Sequence, residues 1–186
     1  MRLLLLNILF LLWFIPISAL AISLEELQNN TDSYVKILEG KPGTVYVDVN
    51  SIHSLRYAPP YYTLSGTMYE VDYNGNMICK TDLSINYDYG SRFSPTLAQN
   101  FLIHNQNLST SSFIARLFEA VDEYSGLSAG VISEDFWNLD GSYIGHLDSS
   151  PIDKIYAGSP IYFTANYFFY KYYNEYFNPQ LGNDFF

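Results

Sequence analysis

The sequence has 186 residues, nine Lys or Arg against nineteen Asp or Glu, and a net charge of −10. That is enough chain for one domain with its own core, and too acidic a balance for nucleic acid or an anionic membrane as partner, since both need a basic footprint. A single cysteine, Cys79, rules out an internal disulfide.

The first predicted element is a leader. Arg2 precedes an apolar run over 3–15, Pro16 breaks it, and Ala19-Leu20-Ala21 follows. A charged start, a short apolar stretch and an A-x-A site read as a secretory signal peptide cut after Ala21. The competing reading, an uncleaved anchor, needs an apolar span of about 20 residues, and this run is shorter. Residues 1–21 are therefore assigned as signal peptide and 22–186 as one exported domain. Its expected location is the periplasm, the cell surface or the medium, with no membrane span left after cleavage. Cys79 does not follow the cleavage site, so lipid anchoring is not indicated.

Residues 22–32 are polar and read as a short helix or a frayed arm. Strands are predicted over 34–38 and 44–49, joined by a loop containing Gly40, Pro42 and Gly43. Residues 50–60 read as a connection, held extended by Pro59-Pro60. The centre of the chain is a hairpin over 61–89. Asn74-Gly75 suits the two central positions of a type I′ turn. In the second arm Met77, Cys79, Thr81, Leu83, Ile85, Tyr87 and Tyr89 alternate with polar residues, the period of a half-buried strand. A turn centred on Asn74-Gly75 sets Met68 opposite Thr81, Gly66 opposite Leu83, Leu64 opposite Ile85 and Tyr62 opposite Tyr87. The same register places Tyr69 by Lys80, Thr67 by Asp82, Ser65 by Ser84, Thr63 by Asn86 and Tyr61 by Asp88 on the other face. A slip of one residue would put the apolar set in water. Glu70 then falls opposite Cys79, an acid on the core side near the turn.

Ser94-Pro95 starts a short helix. A better one covers about 111–124, with Phe113, Ile114, Leu117, Phe118, Val121 and Tyr124 at helical spacing. A second hairpin joins 136–139 to 142–147 through Asp140-Gly141. A last helix, 160–177, opens at Ser159-Pro160, stops at Asn178-Pro179, and is aromatic nearly all round, so it is expected to lie over the sheet as core; the alternative is a partner-binding helix. The expected fold is a single α+β domain, an antiparallel β-meander built around the 61–89 hairpin with the helices on one face.

Val45-Tyr46-Val47-Asp48-Val49-Asn50-Ser51-Ile52, then Pro59-Pro60-Tyr61-Tyr62, Ile85-Asn86-Tyr87-Asp88-Tyr89 and the run from Phe169 to Asn178 together resemble a group of small exported bacterial proteins of unknown function, loosely of the surface-adhesin E type. The resemblance implies export, a small sheet with a helix, and a cell-envelope setting. It brings no catalytic residues with it.

Motifs that would mark chemistry are missing. His53, His104 and His146 lack metal-ligand spacing, and no Gly-x-Ser-x-Gly elbow or phosphate-cradling loop is present. The turn around Asn138-Leu139-Asp140-Gly141 fails as a calcium loop, because Phe136 and Leu147 occupy positions that need carboxylates. Strand parity points Cys79 inward, so it reads as a small core residue. No catalytic residue, metal site or cofactor is assigned. Aromatic content remains, eighteen Tyr and thirteen Phe. Tyr61, Tyr69 and Tyr73 fall on the polar side of the hairpin and form the candidate binding face, against the alternative that the chain covers that face itself. The expected function is an exported, non-enzymatic envelope or surface protein that binds an envelope component, a glycan or a protein. The alternative is a small exported hydrolase with a site assembled from distant residues. No sequence feature assigns an oligomeric state.

Overall fold

A computed structural model describes residues 22–123, 125–152 and 154–178. The predicted leader with Ala19 and Ala21, Tyr124, Asp153 and the chain beyond 178 lie outside those residues. In order come helix α1 (Leu24–Asn29), strands β1 (Tyr34–Glu39), β2 (Gly43–Ala58), β3 (Tyr61–Asp72) and β4 (Met77–Asp88), helices α2 (Pro95–Asn105) and α3 (Thr110–Glu123), strands β5 (Leu127–Asn138) and β6 (Tyr143–Ile152), and helix α4 (Pro160–Tyr173). The six strands make one antiparallel sheet in the order β1-β2-β3-β4-β5-β6. This is the α+β meander expected from the sequence.

The register of β3 on β4 is the one the alternation dictates, from Tyr61 opposite Asp88 to Asp72 opposite Met77. The turn differs from the expected type I′. Pairing stops at Asp72 and Met77, leaving four residues in the loop, and the positive φ falls on Asn76 at 53°, not on Asn74 or Gly75. Asp72 explains this: its Oδ1 accepts from Asn74 N at 2.9 Å, and its carboxylate lies where a Cβ on Gly75 would be, 2.6 Å away. Gly75 is there for space beside Asp72, and the hairpin's four-residue loop preserves the register that a two-residue turn would set.

Strand β2 is longer than predicted. It continues through the expected connection to Ala58, and Pro59-Pro60, with a cis peptide bond between them, is the two-residue turn into β3. Register shifts between Asp48 and His53 and between Ser54 and Arg56 break its alternation, which hid the strand in the sequence. The second hairpin is also longer than its predicted arms, and α4 ends at Tyr173 rather than 177, closed by Asn174 in the left-handed region at φ 58°.

Helix α4 lies over one face of the sheet. Phe168 and Phe169 are buried with Leu64, Met68, Leu83, Ile85 and Tyr87, and the Tyr87 hydroxyl donates to Ala165 O at 2.8 Å. Gly66 makes this approach possible, since a Cβ there would sit 2.5 Å from Phe168 Cζ. Asn178 ties three segments together under the same roof. Its Oδ1 accepts from Phe93 N, its Nδ2 donates to Ser125 O, and its N donates to Asn166 Oδ1, all at 2.9 Å.

A second, smaller core lies on the opposite face at the hairpin tip. Tyr46, Tyr69, Val71, Ile78 and Trp137 are buried there under Ile22 and Leu27 of the α1 segment. Ser23 caps α1 by accepting from Glu26 N, and Leu24 N bonds to Leu139 O, so the short helix is pinned to the second hairpin. Strand β5 crosses from one core to the other. Val131 packs under α4, and the register shift between Asp82 and Leu83 turns Trp137 to the opposite face although both residues are odd-numbered.

Candidate functional site

The three tyrosines assigned to a binding face are not brought together. Tyr69 is buried, its ring edge-to-face with Tyr34 at 5.4 Å, and burial pushes its hydroxyl pKa up. Tyr73 is exposed in the turn, its hydroxyl 3.0 Å from Thr44 Oγ1. Tyr61 is 47% exposed at the far end of β3. Twelve strand positions separate Tyr61 from Tyr73, about 40 Å at the rise of a strand.

Tyr61 instead stands at the mouth of a cleft of about 520 Å³ where β3, β4 and the start of β5 meet the end of α3. Strand pairing lays a row of neutral polar side chains across it, Thr63 on β3, Asn86 on β4 and Ser128 on β5. Thr63 Oγ1 donates to Asn86 Oδ1 at 2.9 Å, which leaves the amide N–H groups of exposed Asn86 without a partner among the described residues. The next row holds Tyr61 and Asp88, and Arg56 reaches over the Tyr61 ring, 5.6 Å from its centroid. Lys154 is a second exposed cation on the rim.

Two of the carboxylates that line the cleft, Asp88 and Asp122, are bonded to the loops beside them. Asp88 accepts from Gly90 N at 3.0 Å and from Ser91 Oγ at 2.8 Å, and Asp122 accepts from Ala157 N at 2.5 Å. These bonds fix the loops that shape the cleft walls. Beside them the cleft presents the Thr63 and Ser128 hydroxyls, the Asn86 amide, the Tyr61 ring and the Glu123 carboxylate.

The remaining polar chemistry lies on the same face but nearer the sheet's middle. Asp82 accepts from Thr67 Oγ1 at 2.6 Å, from Lys80 Nζ at 2.8 Å and from Ser133 Oγ at 2.9 Å. Burial pushes its carboxyl pKa up, but these donors outweigh it and hold the value below the ordinary range. Asp135 accepts from His146 Nδ1 at 2.8 Å, and that bond raises the imidazole pKa. The other histidines stand apart: His53 is exposed on β2, and His104 bonds Asn100 O within α2. No cluster of three potential metal ligands occurs among the described residues. Cys79 is half-buried between Thr81 and Glu134, and burial raises its thiol pKa to about 11, which disfavours the thiolate.

The sequence reading placed Tyr61 and the Thr63–Asn86 pair on this face but left out Arg56 and Ser128. The signal was present in Pro59-Pro60. Read as a two-residue hairpin turn, it sets Ala58 opposite Tyr61 and Arg56 opposite Thr63, the pairing the structure has. Among known proteins, no family model, no curated protein and no solved structure matches this chain.

Proposed function

We propose that the chain is an exported, non-enzymatic binding protein of the cell envelope or cell surface, and that the cleft beside Tyr61 takes a glycan. The observation that carries this reading is the row of Thr63, Asn86 and Ser128 beneath an exposed tyrosine backed by Arg56. Hydroxyl-bearing rings are held by neutral donors and acceptors in a fixed row, with an amphipathic aromatic face alongside, and Tyr supplies that face with little loss of side-chain freedom. The leader and the resemblance to adhesin-like exported proteins support the setting.

A hydrolase would draw on His146 and Asp135, but Ser133, the hydroxyl nearest them on β5, donates to Asp82. The test is co-sedimentation of protein purified from cells expressing the full chain with isolated envelopes. Tyr61→Ala/Asn86→Ala changes two exposed side chains, keeps the fold, and is expected to weaken binding at least about tenfold, the loss of a modest hot spot. Glycosidase treatment of the envelopes abolishes pelleting and protease treatment does not. Equal pelleting of the variant removes the cleft from the reading, and release of soluble sugar by the wild type favours the hydrolase.

A further inference from the structure

The two edges of the sheet are built differently. Strand β1 is six residues long, carries the Lys36–Glu39 ion pair at 2.6 Å, and is interrupted by a register shift between Lys36 and Leu38. Short length, lysine and a bulge are the ordinary means of stopping a sheet from growing. Strand β6 has no lysine and no bulge between Gly145 and Ile152, and its one proline, Pro151, stands next to its end. It runs ten residues, holds unbroken register from Gly145 to Ile152, and has no lysine or arginine. Its strand partner is β5, and Leu147, 55% exposed, lies at its middle, with exposed Tyr143 and Ile144 nearer its start.

The sequence of β6 is self-complementary. Antiparallel pairing with a second copy about an axis perpendicular to the sheet keeps each face continuous only if the axis passes through a residue. Directly opposed residues then share a face. His146 and Asp148 are two positions apart, so one centre alone, Leu147, sets the imidazole opposite a carboxylate. A centre at Asp148 opposes two carboxylates, and one at His146 opposes two imidazoles. Centred on Leu147, the leucines meet on the α4 side, and Pro151, which has no N–H to give, falls at the end of the ladder opposite Tyr143.

We propose that β6 is a homodimer interface, two copies joining their sheets antiparallel about Leu147, with His146 of each facing the partner's Asp148. Within its own chain His146 is faced by Asp135 on β5, at 2.8 Å, and by Asp148 on β6, at 3.5 Å. Tyr143 OH and Lys80 Nζ also reach Asp135, at 3.4 and 3.8 Å. With His146 uncharged, its attraction for the facing carboxylate is lost while the Asp135 and Asp148 carboxylates of both copies remain near the axis, so the dimer loosens as pH rises through the His146 titration. An edge contact of this size is small, so the dimer is concentration-dependent.

The experiment is sedimentation equilibrium across the micromolar range on protein from cells expressing the full chain. The wild type dimerises. Leu147→Lys opposes two like charges at the axis and weakens the dimer at least about tenfold while melting like the wild type. Leu147→Cys places two thiols opposite one another within disulfide reach and gives a covalent dimer on mild oxidation, and Ile144→Cys does not. A wild type that stays monomeric overturns the proposal. So does a dimer untouched by Leu147→Lys, or a Leu147→Cys variant that does not cross-link. If Leu147→Lys fails to fold, the cysteine pair decides.

Discussion

The two cores sit on opposite faces of one sheet, and they are not equal. Under α4, a fourteen-residue helix covers the middle of β3 and β4, and aromatic rings interlock from Tyr62 and Tyr87 to Phe169, Tyr173 and Phe177. At the hairpin tip, the six-residue α1 and Ile22 cover Tyr46, Tyr69, Val71, Ile78 and Trp137 on the other side. The hairpin therefore turns inside out along its length. Strand alternation is strict in both arms, yet the buried parity changes between Met68 and Tyr69. A strand's period tells which residues share a face. It does not tell which face is covered, because a second element must supply the cover.

That difference sets how each core fails. Phe168 is fully buried against Gly66 within the main core, so Phe168→Ala should cost about 3–5 kcal/mol, transfer loss plus cavity. Chemical denaturation should show one cooperative transition at lower denaturant, with the slope unchanged. A small cost, or loss of α4 amide protection alone with the sheet intact, would mean that the helix is an accessory and not the roof of the main core.

Leu27 is as fully buried as Phe168, but it belongs to the small core. Leu27→Ala should cost about 2–3 kcal/mol, the low end for a buried leucine, because α1 can shift to fill the gap. Hydrogen exchange distinguishes the two cores. Amides at the tip, from Tyr69 to Val71 and at Ile78, should exchange faster, and those of α4 should not change. Equal loss of protection at both sites would show one core and not two.

The sequence exposed the hairpin because two signals agreed, the alternation in β4 and the position of Asn74-Gly75. It named the register of all the pairs it listed. The α4 helix was legible from its aromatic density and from Ser159-Pro160, and Ser159 does cap it, accepting from Tyr162 N at 3.2 Å. Three things stayed hidden for physical reasons. Bulges shift parity, so β2 beyond Val49 and β5 before Phe136 lost their period-two signature. A six-residue helix has too few turns for a stripe, so α1 was not distinguishable from a frayed arm. The three candidate tyrosines do not share an open face, because Tyr69 shares its parity with Tyr61 but lies under α1, which the sequence did not place there.

Glu70 gives the smallest and sharpest test of the inversion. The sequence placed this acid on the core side opposite Cys79, an anomaly while that face is taken as buried throughout. In the structure the α4 face opens toward the tip, and Glu70 has its backbone there, with Cys79 and Glu134 as neighbours. Partial burial, then the charges of Asp72 and Glu134, raise its carboxyl pKa. A group whose pKa is raised on folding holds its proton more tightly in the native state. Stability is then fully present below the unfolded-state pKa and is lost as pH rises through the raised one. The wild type should therefore lose a little stability from the ordinary glutamate pKa upward. Glu70→Gln keeps the shape without the charge and should flatten that part of the profile, leaving the acid limb set by Asp82 unchanged. Melting temperatures of the two proteins measured in parallel across the mildly acidic range check this. If the profiles coincide, the carboxyl of Glu70 is in water, and the open end of the α4 face does not crowd its three acids.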